Sequence, residues 1–83
     1  MANLIQDAIF HHIVNRREQQ DLKWGVQDHD NPYWLGIMVE EIGEAAKAVI
    51  EFDLDNLRDE LIDVAAVIFA WLECIERRDS NQQ

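Results

Sequence analysis

Val64 to Leu72 is a run of nine consecutive apolar residues set inside an otherwise charged helical segment. A helix written this way has no polar face, and a helix that is apolar all round needs cover all round. In a chain of 83 residues, two partner helices cannot supply that cover. The sequence therefore predicts self-association, a homodimer or homotetramer in which helices from other copies complete a four-helix-type core. In a lone subunit, residues such as Val67, Phe69 and Ala70 are expected to stay partly wet. Soluble chains seldom leave so large an apolar patch uncovered.

The rest of the chain reads as one all-α domain over residues 1–83, with three helical segments and no repeats or linkers. The first spans about Asn3 to Leu22, with Leu4, Ile5, Ala8, Ile9, His12 and Ile13 at helical spacing on one face. A connector, Lys23 to Pro32, carries the glycine, proline and Asx residues that favour turns. The second begins at Asn31-Pro32, where Asn suits the cap and Pro the first helical position, and continues to about Phe52. Its apolar stripe is Leu35, Met38, Ile42, Ala45, Ala46 and Val49. After a short turn, capped by Asp53 or Asp55, the third runs from about Asn56 to Arg78. There Arg77 and Arg78 suit the negative end of the helix dipole, and Asp79 to Gln83 is expected to fray. The second and third segments form an antiparallel hairpin.

Seventeen acidic against seven basic residues give a formal charge of −10. That excludes a phosphate-tracking nucleic-acid surface, which needs clustered Lys and Arg. No stretch approaches the roughly 18 apolar residues of a membrane span, and no signal-peptide core opens the chain. The single cysteine, Cys74, forms no internal disulfide and reads as a buried small hydrophobe. A cytoplasmic location is expected.

The chemistry lies in four carboxylates. Glu41 and Glu44 are three apart on the second helix, and Glu60 and Asp63 are three apart on the third, so each pair shares a helix face. With about 1.5 Å of rise per residue, Glu44 and Asp63 stand level in the hairpin, roughly 14 Å from the turn. Glu41 then lies about 5 Å above that level and Glu60 about 5 Å below it. Four such charges cannot all stay ionised together without a counter-ion. Hard oxygen donors select Mg²⁺, Mn²⁺ or Ca²⁺, and a site shared with phosphates favours Mg²⁺, with Mn²⁺ as a substitute. No Glu-x-x-His occurs, which argues against a di-iron carboxylate bundle.

The segments Glu40-Glu41-Ile42-Gly43-Glu44-Ala45-Ala46-Lys47 and Leu57-Arg58-Asp59-Glu60-Leu61-Ile62-Asp63-Val64 resemble the MazG nucleotide pyrophosphohydrolases, of the all-α NTP pyrophosphatase superfamily. The shared pattern is Glu-x-x-Glu, a spacer (here Ala45 to Asp59), then Glu-x-x-Asp. The Lys-Trp-Gly of the connector and the following His29 resemble the short MazG-like group. The resemblance covers nearly the whole chain. It implies conversion of an NTP or dNTP and water to the nucleoside monophosphate and pyrophosphate, with nucleotide-pool cleaning as the expected role. It assigns Glu41, Glu44, Glu60 and Asp63 to the metal, and gives Glu44 or Glu41 the task of orienting the attacking water.

Around this centre, Trp24 and His29 are candidates for base contact or for core packing; both sit where the related dCTP pyrophosphatases place base-pocket residues. Trp34 reads as core. Lys23 is a candidate for phosphate, and Lys47 for an ion pair with Glu51. Adjacent His11 and His12 cannot face one site and read as structural, while Glu40 lies beside the main carboxylate face. A different class of function, a non-catalytic acidic helical module of the antitoxin or regulatory kind, explains the charge and the apolar helix but not the matched carboxylate pairs.

Overall fold

The computed structural model describes residues 3–81, which form three α-helices and, among the described residues, no strand. They are α1 (Leu4–Trp24), α2 (Asn31–Ile50) and α3 (Leu54–Asn81). No described helix is long and apolar enough to cross a membrane.

Local chemistry sets each boundary. The Asn3 side chain caps α1 by accepting from the Gln6 amide at 3.0 Å. Gly25 ends the helix at φ 75°, its amide donating to the Asp21 carbonyl at 2.8 Å. Asp30, rather than the expected Asn31, caps α2 by accepting from the Tyr33 amide at 2.9 Å. Asn31 thus falls inside the first turn beside Pro32. At the far end the Asp53 amide donates to the Ala48 carbonyl and the Phe52 amide to that of Val49, a Schellman closure. Phe52 occupies its left-handed position at φ 55°, where glycine is usual. Asp53 then caps α3, accepting from the Asn56 amide at 3.2 Å. Of the tail expected to fray, Asp79 to Asn81 continues the helix; Gln82 and Gln83 lie outside the described residues.

Packing joins α2 to α3 and α1 to α3, while α1 makes no packing contact with α2. On the turn side of this helix pair the buried residues are Ala45 and Ala48 of α2 and Ile62 and Ala66 of α3. Further along, Trp34 fills the space against Val67, Ala70 and Cys74, with Ile37, Met38 and Trp71 around them. Trp34 and Cys74 are core, as their sequence context suggested.

Several expectations are corrected. Val67 and Ala70 are buried rather than wet, because the large Trp34 ring reaches them from α2. Phe69, as expected, is only half-buried, its ring edge-to-face with Phe10 at 6.4 Å. The exposed residues of the apolar run are instead Ile68 and Leu72. On α2 the stripe turned to α3 is Trp34, Met38, Ala45 and Ala48; Leu35, Ile42 and Val49 lie roughly one helical step round and are exposed. No residue of α1 is buried, and His11 and His12 face solvent instead of supporting the packing. Arg77 and Arg78 do not end α3. Arg77 donates to Asp28 at 2.8 Å and to the Gln27 carbonyl at 3.1 Å, and Arg78 to Asn31 at 2.9 Å. The late turns of α3 therefore hold the connector down.

Candidate functional site

Glu41 projects from the middle of α2 while Glu60 and Asp63 stand one turn apart on α3, and the three carboxylates meet across the helix pair. One oxygen from each lies within 4.8 Å of the others. Glu41 Oε2 and Glu60 Oε2 are buried and have no hydrogen-bond partner. Such orphaned acceptors are rare in folded proteins and ask for a proton or a cation.

The electrostatics follow from that crowding. Burial pushes the Glu41 carboxyl up to about 7, helped by the charges of Glu44, Asp63 and Glu60. Glu60 is raised by burial first, then by the neighbouring Glu44 carboxyl and the charge of Asp63. Glu44 itself is exposed, on the outer rim of the group. All four predicted carboxylates thus gather in one place, three as a tight set and Glu44 at its edge. Glu40 faces solvent.

Beside the carboxylates opens a cavity of about 380 Å³. It is lined by Glu41 and Asp63, by Trp24, Gly25, Gln27, His29, Tyr33 and Trp34, and by Arg17, Gln20 and Asp21 of α1. Trp24 is 58% exposed, so core packing does not explain it. His29 is fixed by its surroundings: its ring stacks on Tyr33 with centroids 4.2 Å apart and meets the edge of Trp34 at 5.0 Å. Its Nε2 lies 3.3 Å from Gln27 Oε1, and its carbonyl accepts from the Cys74 thiol at 3.6 Å. Lys23 is not among the lining residues; its ammonium lies over the ring of Trp24, 4.7 Å from the centroid. Lys47 pairs with Glu51 at 4.0 Å, well outside the group.

Sequence reasoning missed two arginines. Arg16 reaches from α1 and donates to Asp63 Oδ1, with Asp59 Oδ1 at 3.8 Å from its other terminal nitrogen. Arg17 bonds Glu73 at 2.9 Å and Asp21 at 3.0 Å and also donates to Gln20. Adjacent arginines in the middle of a helix, in a chain with only seven basic residues, were the available signal. Tyr33, also missed, sits directly after the turn-favouring Asn-Pro pair.

The arrangement can do two things chemically. A set of hard oxygen donors with unsatisfied buried lone pairs can take a small divalent cation. A neighbouring concave space with aromatic walls can hold a flat, partly apolar group. Comparison with protein-family models, with curated proteins and with solved structures returned no match.

Proposed function

We propose that the chain is a Mg²⁺-dependent nucleoside triphosphate pyrophosphohydrolase of the MazG kind, releasing pyrophosphate and a nucleoside monophosphate from an NTP or dNTP. One observation carries the reading. Glu41, with its orphaned buried oxygen, and Asp63 share a single cavity with aromatic side chains, so a charged and a flat part of one molecule would find matching walls. Glu41, Glu60 and Asp63, with Glu44 at the rim, fit Mg²⁺ or Mn²⁺ in donor type. When bound, the metal would offset the triphosphate charge and lower the pKa of a coordinated water.

The chain's own residues supply the rest. Glu41 and Asp63 border both the carboxylate group and the cavity, so phosphates lying between metal and base would meet them first. Glu44, exposed and beside Glu60, would accept a proton from an attacking water; its exposure supports that role. Trp24 and His29 would flank the base, the His29 ring held at its angle by Tyr33 and Trp34.

The reading includes assembly. On α2, Leu35, Val39, Ile42, Ala46 and Val49 repeat at alternating four- and three-residue spacing and are all exposed. Leu61, Ile68 and Leu72 are exposed on α3. Burying each large side chain contributes roughly 1.5–3 kcal/mol. A second copy set against these residues would complete a four-helix bundle, and a homodimer at micromolar concentration is the expected outcome, with a homotetramer as the larger form. Light scattering across protein concentrations tests this; a folded, active monomer throughout would refute it.

The deciding experiment for the chemistry is a screen of the common NTPs and dNTPs with Mg²⁺, assayed for pyrophosphate. Orthophosphate as the product, or full activity in chelator, would refute the reading. The same uncovered apolar residues favour a second reading, a non-catalytic acidic module that binds a partner helix. Calorimetric titration with Mg²⁺ separates the two, since only the enzyme requires binding at these carboxylates.

A further inference from the structure

Among the described residues, Arg16 is the one cation paired with a member of the carboxylate group, and it arrives from a helix that contributes no carboxylate to it. Asp63 keeps 28% of its side-chain surface open to solvent, as does Arg16. An aspartate among like charges is pushed outward, toward water. The Arg16 guanidinium opposes that push. It binds Asp63 Oδ1 through one terminal nitrogen, and Asp59 at 3.8 Å steadies the other. The planar fork of arginine suits this two-carboxylate bridge, whereas the compact ammonium of lysine does not.

A divalent ion would not be expected to displace Arg16. Glu41, Glu44, Glu60 and Asp63 bring four negative charges; subtracting the two positive charges of one ion leaves two, so attraction for Arg16 persists. Engaging one Asp63 oxygen also leaves its second oxygen free to face the metal.

We propose that Arg16 is a positioning residue for Asp63, holding that carboxylate in line with Glu41 and Glu60 so that the three can bind a divalent ion together. The proposal rests on the metal-binding reading given above. It also predicts a sign opposite to simple electrostatics. Removing a positive charge from beside a cation site tightens binding, whereas removing a group that orients a ligand typically weakens it by about 10–100-fold.

The test is Mn²⁺ titration of the full, nucleotide-free chain, following free Mn²⁺ by electron paramagnetic resonance, with helix content checked by circular dichroism. Folded Arg16→Gln is expected to bind Mn²⁺ about tenfold more weakly than wild type, and Arg16→Lys to recover only part of the loss. Unchanged or tighter binding by Arg16→Gln overturns the proposal. Should Arg16→Gln fail to fold, Arg16→Lys decides, and wild-type affinity in that variant overturns it equally. Wild-type protein that binds no Mn²⁺ removes the metal reading and this proposal together; wild-type binding matched by Arg16→Gln removes this proposal alone.

Discussion

The α2–α3 pair and α1 are attached to the molecule by different physics. The pair is joined through buried apolar atoms: Trp34 against Val67, Ala70 and Cys74, and Ala45, Ala48, Ile62 and Ala66 on the turn side. α1 buries no residue and touches only α3, through the Arg16 and Arg17 ion pairs and the contact of Phe10 with Phe69. Yet the candidate site draws on both. The carboxylates stand on the apolar-packed pair, while Arg17, Gln20, Asp21 and Trp24 bring α1 to the cavity. On the proposed function, the pair would be a firm platform for a metal and α1 a more loosely held wall for a nucleotide.

The largest expected effect tests the platform. Glu41→Gln, Glu60→Gln and Asp63→Asn should each lower Mg²⁺-dependent pyrophosphate release by about 100-fold or more while leaving the helices formed. Glu44→Gln should do the same if the rim carboxylate serves the attacking water. Glu51→Gln, at the end of α2 and outside the group, should change turnover little. Normal turnover by the Glu41 and Asp63 variants would separate the chemistry from this cluster.

Next comes the wall. Ion pairs at partly exposed positions contribute roughly 0.2–1 kcal/mol each and weaken as salt shortens the screening length. Raising salt from about 0.1 M to 1 M should lower amide-exchange protection in the middle of α1 about tenfold and barely alter α2 and α3. Equal loss in all three helices would show that α1 is held as firmly as the rest.

The third effect is a pH dependence of the platform without metal. Glu41 has a folded-state pKa of about 7 against an ordinary 4.5, so between those values the folded chain binds more protons than the unfolded one. This contribution to stability is complete below pH 4.5 and is lost as pH rises through 7. Glu60 is shifted in the same direction. The melting temperature of the metal-free protein should therefore fall across that range, by less in Glu41→Gln and by less with saturating Mg²⁺. A melting temperature that rises instead would contradict the burial of these carboxylates.

The same contrast explains what could be read in the sequence. Three helices followed from periodicity and turn chemistry, because those signals are local. Helical rise sets Glu44 level with Asp63, with Glu41 and Glu60 to either side; the close set is instead Glu41, Glu60 and Asp63, and Glu44 is exposed. What could not be read was set by long-range register. Which side of α2 meets α3 depends on how deep Trp34 seats, so Leu35, Ile42 and Val49 were assigned to a buried stripe although they are exposed. The α1 arginines were passed over because their partners, Asp63 and Glu73, are more than 45 residues away in the chain. No local pattern encodes such a pairing.

The smallest expected effect probes the turn that sets the register of the pair. Phe52 takes the left-handed position of the Schellman closure at φ 55°, and its side chain is almost wholly exposed. A residue with a Cβ is strained there by roughly 1–2 kcal/mol, whereas glycine is not. Phe52→Gly keeps both closing amide bonds, from Phe52 to Val49 and from Asp53 to Ala48, because they are made by the backbone. Chemical denaturation should therefore find the variant more stable by about 1 kcal/mol, the relief of strain partly offset by the greater freedom of glycine in the unfolded chain. The carboxylates lie several turns away along both helices, so Mn²⁺ affinity should stay as in wild type. A loss of stability that grows as protein concentration rises would mean that the Phe52 ring is covered by a second copy, and that the strain persists because association rewards it.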